Sequence, residues 1–167
     1  MSSIIRPATE AITSSVVIER TYRAPLEELW ALWTTSDGFE SWWGPEGFRT
    51  KVHALEARAN GVLSYTMSAY GLAQVTAMKE LGRPSSHAVN ARFTEFEPMR
   101  RLVMTNVIDF LPGIAAYESA IAVDFLPASR TVRMVIALDA LHSEKFTRMS
   151  TMGFTSQLTK LDQRFPD

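Results

Sequence analysis

The last third of the chain reads SAIAVDFLPASRTVRMVIAL at residues 119–138 and SEKFTRMSTMGFTSQLTKLDQRF at residues 143–165. In the first segment, large apolar side chains alternate with small or polar ones on both sides of a turn, a period of two that is typical of half-buried strands. In the second segment, the large apolar side chains form one helical stripe, made of Phe154, Leu158, Leu161 and Phe165. The pattern therefore predicts a β-hairpin followed by one long helix over residues 143–165 that covers an apolar surface.

The rest of the chain supplies further strands. Alternation begins at Ser15, and apolar runs bounded by turn residues return at about 48–58, 62–67, 87–97 and 101–108. Asn60-Gly61 predicts a type I′ hairpin turn between two of these strands. Helical spacing predicts two short helices after the first strand and a third over residues 71–81. The predicted fold is α+β: a curved antiparallel sheet of about seven strands wrapped around a long C-terminal helix.

Length and composition limit the classes of protein that this chain can represent. The 167 residues predict a flexible N-terminal arm over residues 1–13 and a single domain over residues 14–167. With 17 basic and 18 acidic residues and a net charge of −1, no basic excess favours nucleic acid or an anionic membrane as a partner. The chain contains no cysteine, which excludes disulfides and thiol catalysis, and it has no signal peptide pattern. We therefore expect a cytoplasmic protein.

No motif for catalysis or metal binding stands out. The three histidines, His53, His87 and His142, have no metal-ligand spacing, so we predict neither a metal site nor a cofactor. Asp109 precedes a Pro-Gly turn, where an aspartate more often hydrogen-bonds its own backbone than acts as a base. We therefore assign no catalytic residue. The oligomeric state is left open, with a homodimer among the assemblies that the sequence allows.

Five short motifs in a fixed order point to a known family. They are Ala24-Pro25 with Trp30 and Trp33-Thr34, Trp42-Trp43-Gly44-Pro45, Glu56–Gly61, Phe93–Pro98 with Arg101-Leu102-Val103, and Met152-Gly153-Phe154 with Leu158 and Leu161. Together they resemble the START-like helix-grip superfamily, and within it the domain named after the activator of the Hsp90 ATPase. The resemblance covers residues 15–165 and implies the same helix-grip fold. A shared fold carries no activity by itself.

The predicted fold implies a cavity where the sheet and the long helix do not fill the space between them. Strand parity and helical spacing give its candidate lining as Leu63, Tyr65, Met67, Phe93, Glu95, Tyr117, Ile121, Met149, Met152 and Gly153, with Trp43 near the mouth. Gly153 leaves a gap between Met149 and Met152, and Tyr65 and Glu95 are the expected polar contacts. Pockets of this kind are mostly apolar with a few placed polar groups.

Three functions remain open at this stage. The first is a binding module that holds a small hydrophobic molecule in the cavity. The second is an enzyme of the cyclase or dehydratase type, for which Glu95, Asp109 and Tyr65 are the candidate acid–base groups. The third is a co-chaperone that acts by surface contact, which predicts an exposed docking patch and a filled interior.

Overall fold

The computed structural model describes residues 15–109 and 113–166, so the predicted arm at residues 1–13 lies outside the described residues. Within the described ranges, strands and helices follow one another in this order: β1 (Ser15–Tyr22), α1 (Leu26–Thr34), α2 (Ser36–Trp42), β2 (Phe48–Leu55), β3 (Val62–Ala69), α3 (Leu72–Glu80), β4 (Ser86–Glu97), β5 (Arg101–Ile108), β6 (Tyr117–Pro127), β7 (Val132–Asp139) and α4 (Glu144–Arg164). The predicted α+β class and the two short helices after the first strand are confirmed.

The seven strands form one curved sheet in the order β1-β7-β6-β5-β4-β3-β2, and all neighbouring pairs are antiparallel. From β2 to β7, consecutive strands are neighbours, whereas β1 returns to the far edge and pairs with β7. A strongly twisted sheet of this size curls, and its concave face needs a cover. The long C-terminal helix α4 provides that cover.

Helix α4 begins after Ser143, whose hydroxyl accepts a hydrogen bond from the Phe146 backbone N–H at 3.2 Å. This contact is a side-chain N-cap, which satisfies one of the free N–H groups of the first turn. The predicted apolar stripe faces the sheet: Phe154, Leu158 and Leu161 are buried, and the Phe165 ring lies 5.6 Å from that of Tyr22. The helix predicted over residues 143–165 is therefore confirmed.

Aromatic side chains of α1 fill the space between the second half of α4 and the sheet. The indole of Trp33 is fully buried, and its centroid lies 6.3 Å from Phe125 of β6 and 6.5 Å from Phe154 of α4. Because Trp33 reaches both layers, the helix and the sheet are joined here by continuous packing. We call this region, defined by Trp33, Phe125, Leu158 and Leu161, the packed end.

The predicted type I′ turn at Asn60-Gly61 is wrong. Strand β2 ends at Leu55 and β3 begins at Val62, so the connection is a longer loop rather than a two-residue turn. Only Asn60 of the pair has a positive φ, 63°, whereas a type I′ turn requires positive φ at both positions. Glycine is needed at position 61 for another reason: a Cβ atom there would collide with the Glu56 carbonyl.

Candidate functional site

A cavity of about 380 Å³ lies between the first half of α4 and strands β3 to β7. Its volume falls within the range of about 300–1,000 Å³ that is typical of small-molecule sites. Its lining comprises Trp43, Pro45, Tyr65, Met67, Met78, Arg83, Pro84, His87, Val89, Asn106, Val107, Ile108, Ser119, Ala120, Ile121, Leu138, Asp139, Leu141, Phe146, Met149, Ser150, Gly153, Phe154 and Gln157. Most of these groups are apolar, as expected for a site that removes a ligand from water.

Gly153 of α4 opens the roof of the cavity. A Cβ atom built on Gly153 would meet no atom within 4 Å outside its own helix. Glycine in the middle of a helix destabilises it by about 0.5–1 kcal/mol relative to alanine. The gap predicted at this position is therefore present, and no steric requirement of the surrounding structure demands it.

The inner wall of the cavity is aromatic. Trp43 stacks on Phe39 with 4.5 Å between ring centroids, and its indole Nε1–H donates a hydrogen bond to Tyr65 Oη at 3.0 Å. Trp43 is 4% exposed, so it belongs to the buried wall and not to the mouth, where its place at the end of a predicted helix before Gly44-Pro45 puts it. Trp43 is buried because the turn that follows it is hydrogen-bonded to α4 through Gly44.

Three hydrogen bonds dock the turn at residues 44–46 onto α4. The Gly44 N–H donates to Gln157 Oε1 at 2.9 Å, and the Lys160 ammonium donates to the Gly44 carbonyl at 2.7 Å. The Glu46 N–H donates to Ser156 Oγ at 3.0 Å. These contacts fix the position of Trp43 against the cavity and fix the orientation of the Gln157 amide.

Two amide residues of the cavity lining each contain a buried polar atom without a partner. Gln157 is 3% exposed and Asn106 is 8% exposed. Within the described part of the chain, neither Gln157 Nε2 nor Asn106 Oδ1 has a hydrogen-bond partner. A buried polar atom without a partner costs about 1–3 kcal/mol, and most such atoms in folded proteins find one.

Sequence reasoning does not select these two amides, although each leaves a signal. Asn106 shares its strand face with Leu102 and Met104, which are both fully buried, so it is a polar residue on an apolar face. Gln157 lies one turn after Gly153 and one turn before Leu161. A polar residue on an otherwise apolar inward face is the pattern by which Asn106 and Gln157 could have been identified from the sequence.

Tyr65 is the predicted polar contact that does line the cavity. It is buried, and desolvation raises the pKa of its hydroxyl well above the ordinary tyrosine value. The hydroxyl is therefore protonated at neutral pH. Its oxygen accepts the Trp43 hydrogen bond, and the described residues include no recorded acceptor for its proton.

Glu95 does not face the cavity. It is exposed, and its carboxylate forms an ion pair with Arg101, Oε1 to Nε, at 3.0 Å. The pairing of β4 with β5 shifts register between Phe93 and Glu95, which is a β-bulge. One extra residue reverses the parity of the strand, so Phe93 and Phe96 point inward and Glu95 points outward.

The other predicted lining residues divide into two groups. Met67, Ile121, Met149 and Gly153 line the cavity together with Trp43 and Tyr65. Leu63 and Phe93 are fully buried in the core, Met152 is 70% exposed on the outer face of α4, and Tyr117 shares a hydrogen bond of 2.9 Å with His142 Nδ1. Leu63 and Phe93 face inward as predicted but are covered by other core side chains, whereas the helical position places Met152 on the outer face.

One side of the cavity carries the basic groups Arg83 and His87. Met78 of α3 and the following residues Arg83 and Pro84 form one side, together with His87. Burial, and to a smaller extent Arg83, lower the pKa of His87, so its ring is neutral at pH 7. No residue of α3 is buried, so this helix contributes little to the core and lies over the rim.

Other kinds of site find little support among the described residues. Across residues 15–109 and 113–166, no three side chains of the types that ligate metals converge on one point. In the same ranges, no helix has the length and apolarity needed to cross a membrane. Asp109 is exposed beyond the end of β5 and does not line the cavity.

Comparisons with known proteins agree with the geometry. The family model for Activator of Hsp90 ATPase homolog 1-like proteins matches residues 23–165. A protein from Chromobacterium violaceum has a similar structure, with a TM-score of 0.73 and 19% identity over 92% of this chain and 98% of its own. The AHSA1 protein of Silicibacter pomeroyi is also similar, with a TM-score of 0.70 and 19% identity over 90% of this chain and 96% of its own. No curated protein matches the sequence.

Proposed function

The chain belongs to the family of Activator of Hsp90 ATPase homolog 1-like proteins, and we propose that this member binds a small, largely apolar molecule in the cavity under α4. The observation that carries the proposal is the unfilled space of about 380 Å³ beneath the first half of α4. Protein interiors are packed as densely as organic crystals, and voids larger than a water molecule are few. Space of this size, walled by aromatic and aliphatic side chains, therefore supports a ligand site.

Gly153 supports the same proposal. Alanine at this position would favour the helix, and its Cβ atom would meet no neighbour, so packing does not require glycine here. Glycine thus keeps the roof open at a small cost in helix stability.

The three acid–base groups suggested by the sequence do not come together in the cavity, although His87 and Asp139 line it with Tyr65. Of the three candidates for acid–base chemistry, Tyr65 lines the cavity, whereas Glu95 and Asp109 lie outside it. A reaction of the cyclase or dehydratase type needs a base and an acid within reach of the same substrate. The raised pKa of Tyr65 makes it a hydrogen-bond donor and a poor base at neutral pH. The hypothesis of surface contact alone expects a filled interior, which the cavity does not support.

The proposal can be tested with a neutral apolar dye, Nile red, and a pair of helix variants. We expect wild-type protein to bind the dye, and Gly153→Leu to weaken binding at least tenfold because the new side chain enters the cavity. Thr155→Leu adds the same side chain at an exposed position of the same helix and should bind like the wild type. Circular dichroism of each variant checks that the fold is retained.

Native mass spectrometry of freshly purified protein provides a second test. A stoichiometric small-molecule adduct that is absent from Gly153→Leu supports the proposal. Equal dye binding by the wild type and Gly153→Leu would place the dye elsewhere and contradict it.

A further inference from the structure

The charged groups of the cavity lining are unevenly placed. Among the described residues that line the cavity, Arg83 is the one with a side chain that is always positively charged. Arg83 and His87 are both half-buried, so the two basic groups are partly withdrawn from bulk water. We call the part of the cavity that these two residues line the basic end.

The backbone holds Arg83 at the cavity wall. Helix α3 ends in a Schellman motif, in which the Arg83 N–H donates to the Met78 carbonyl at 2.9 Å and the Gly82 N–H donates to the Lys79 carbonyl at 3.0 Å. Gly82 has a φ of 70°, the left-handed conformation that this motif requires and that glycine adopts without strain. Because Met78 also lines the cavity, the motif fixes the start of the Arg83 side chain beside it.

The charge of Arg83 acts on the other residue of the basic end. His87 lies on β4 and pairs with Met67 of β3, and both residues line the cavity. Burial lowers the pKa of His87, and the positive charge of Arg83 lowers it further. Such an effect needs the guanidinium to lie close to the imidazole in partly desolvated surroundings. The geometry and the electrostatics therefore both place a positive charge at this part of the wall.

The carboxylate of the lining, Asp139, belongs to a different part of the cavity. It accepts the Ala120 N–H of β6 at 2.9 Å, and the register connects Ala120 through Thr105 of β5 to Arg92 of β4. Arg92 follows His87 by five residues, which is about 17 Å along a strand at about 3.3 Å per residue. Asp139 itself lies near the end of β7, three strands across the sheet from β4.

We propose that the ligand carries one anionic group, a carboxylate or a similar oxyanion, which binds at the basic end while its apolar body occupies the space beneath α4. This inference rests on the proposed function, because it names the ionic character of the molecule that the same cavity takes. A guanidinium has five N–H donors in a planar fork, so it can bind an oxyanion and keep another partner. Half-burial strengthens the attraction between the two charges relative to bulk water.

Three naphthalene probes of nearly equal shape test the proposal by displacement of Nile red. They are the anion 2-naphthoate, its neutral counterpart 2-naphthamide and the cation of 2-(aminomethyl)naphthalene. We expect 2-naphthoate to bind about tenfold more tightly than 2-naphthamide, although the cost of desolvation alone favours the neutral amide. The cation should bind most weakly. Added salt should weaken the binding of 2-naphthoate more than that of 2-naphthamide.

Variants assign the preference to Arg83. Arg83→Gln removes the charge, so the affinities for 2-naphthoate and 2-naphthamide should become equal, whereas Arg83→Lys should keep most of the preference. Lys79→Gln is the matched control, because it removes an exposed positive charge of α3 that lies outside the cavity lining. The preference should be unchanged in this control. Circular dichroism checks that each variant is folded.

An NMR titration of the histidine rings in the wild type locates the bound anion without any substitution. Bound 2-naphthoate should raise the pKa of His87, because a nearby negative charge stabilises the imidazolium. Bound 2-naphthamide should not raise it. His53 is the internal reference, since it is exposed and its Nε2 lies 2.7 Å from Thr66 Oγ1, so its pKa should stay the same with either probe.

The outcomes separate this inference from the proposed function. If the probes displace Nile red but 2-naphthoate has no advantage over 2-naphthamide, the cavity binds ligands and the inference is overturned. Tightest binding of the cation, an advantage that survives Arg83→Gln, or an unchanged pKa of His87 with bound 2-naphthoate overturns it as well. If no probe displaces the dye, or if Gly153→Leu leaves dye binding unchanged, the proposed function fails and the inference fails with it.

Discussion

The two halves of α4 lie over the same sheet in different ways. In the second half, Leu158 and Leu161 are fully buried against the packed end. In the first half, Met149 is partly exposed and Gly153 faces open space. The difference comes from what lies beneath: Leu158 and Leu161 belong to the same buried cluster as Trp33 and Phe125, whereas the cavity lies between the first half and Asn106 and Ser119.

The contrast indicates that the two halves of α4 have different roles, one in stability and the other in forming the cavity. Apolar burial at the packed end supplies the stability, at about 25 cal/mol for each Å² removed from water. The first half of α4 continues the same helix, but the space between it and the sheet is unfilled. Binding sites are drawn from regions of lower local stability for this reason.

The largest decrease in the free energy of unfolding is expected at the packed end. Leu158→Ala should lower the free energy of unfolding by about 2–5 kcal/mol, because it leaves a void in a filled layer. Met149→Ala, on the same helix at the cavity, should change it by less than about 0.5 kcal/mol. Urea unfolding of both variants measures the difference. Equal losses would show that the two halves of α4 are packed alike.

A smaller effect is expected where the end of α4 is tied to β1. The Tyr22 hydroxyl donates to Asp162 Oδ1 at 2.6 Å, and Arg20 lies 3.7 Å from the same oxygen. Hydrogen bonds to charged groups contribute about 1.5–3 kcal/mol, so Tyr22→Phe should destabilise the protein by an amount near the lower figure. Tyr70→Phe, at an exposed tyrosine, is the control and should be neutral.

This contribution should depend on pH in the alkaline range. Burial, followed by the bond to Asp162, raises the pKa of Tyr22 in the folded protein above its ordinary value near 10. The stabilisation is therefore fully present below about pH 10 and decreases as pH rises above it, because tyrosinate then forms in the unfolded chain. The advantage of the wild type over Tyr22→Phe should shrink between pH 9 and pH 11. A constant difference over that range would contradict the assignment.

The smallest change in the free energy of unfolding is expected at the cavity, and there it is an increase. Gly153→Ala should stabilise the protein by about 0.5–1 kcal/mol, since the methyl group favours the helix and meets no neighbour. Thermal unfolding followed by circular dichroism measures the increase. A loss of stability would mean that the gap at Gly153 is closed in solution.

Periodicity alone predicts most of the framework. Alternation gives β6 and β7, the helical stripe gives α4, and the boundaries agree with the structure to within a few residues. The sequence also predicts a gap at Gly153, because a glycine on the inner side of a helix removes a side chain, and a Cβ atom there would meet open space. All of these features are determined by residues close to one another in the sequence.

The errors arise where a distant partner determines the local geometry. Glu95 is misplaced because the bulge against β5 reverses the parity of β4, and no residue in β4 by itself signals that extra position. Trp43 is buried because Gln157, far along the chain, holds the turn at Gly44. Asn60-Gly61 does not form the two-residue turn because β2, predicted to reach about residue 58, ends at Leu55.

The sequence by itself therefore determined the order and type of the elements, the α+β class and the apolar face of α4, since these follow from the repeat of apolar residues along one segment. Only the tertiary structure decided where the cavity lies and which residues line it. A cavity is a difference between the volume enclosed by several elements and the volume of the side chains that they contribute. Whether Asn106 and Gln157 find partners depends in the same way on residues from other elements, so neither property can be read from one segment.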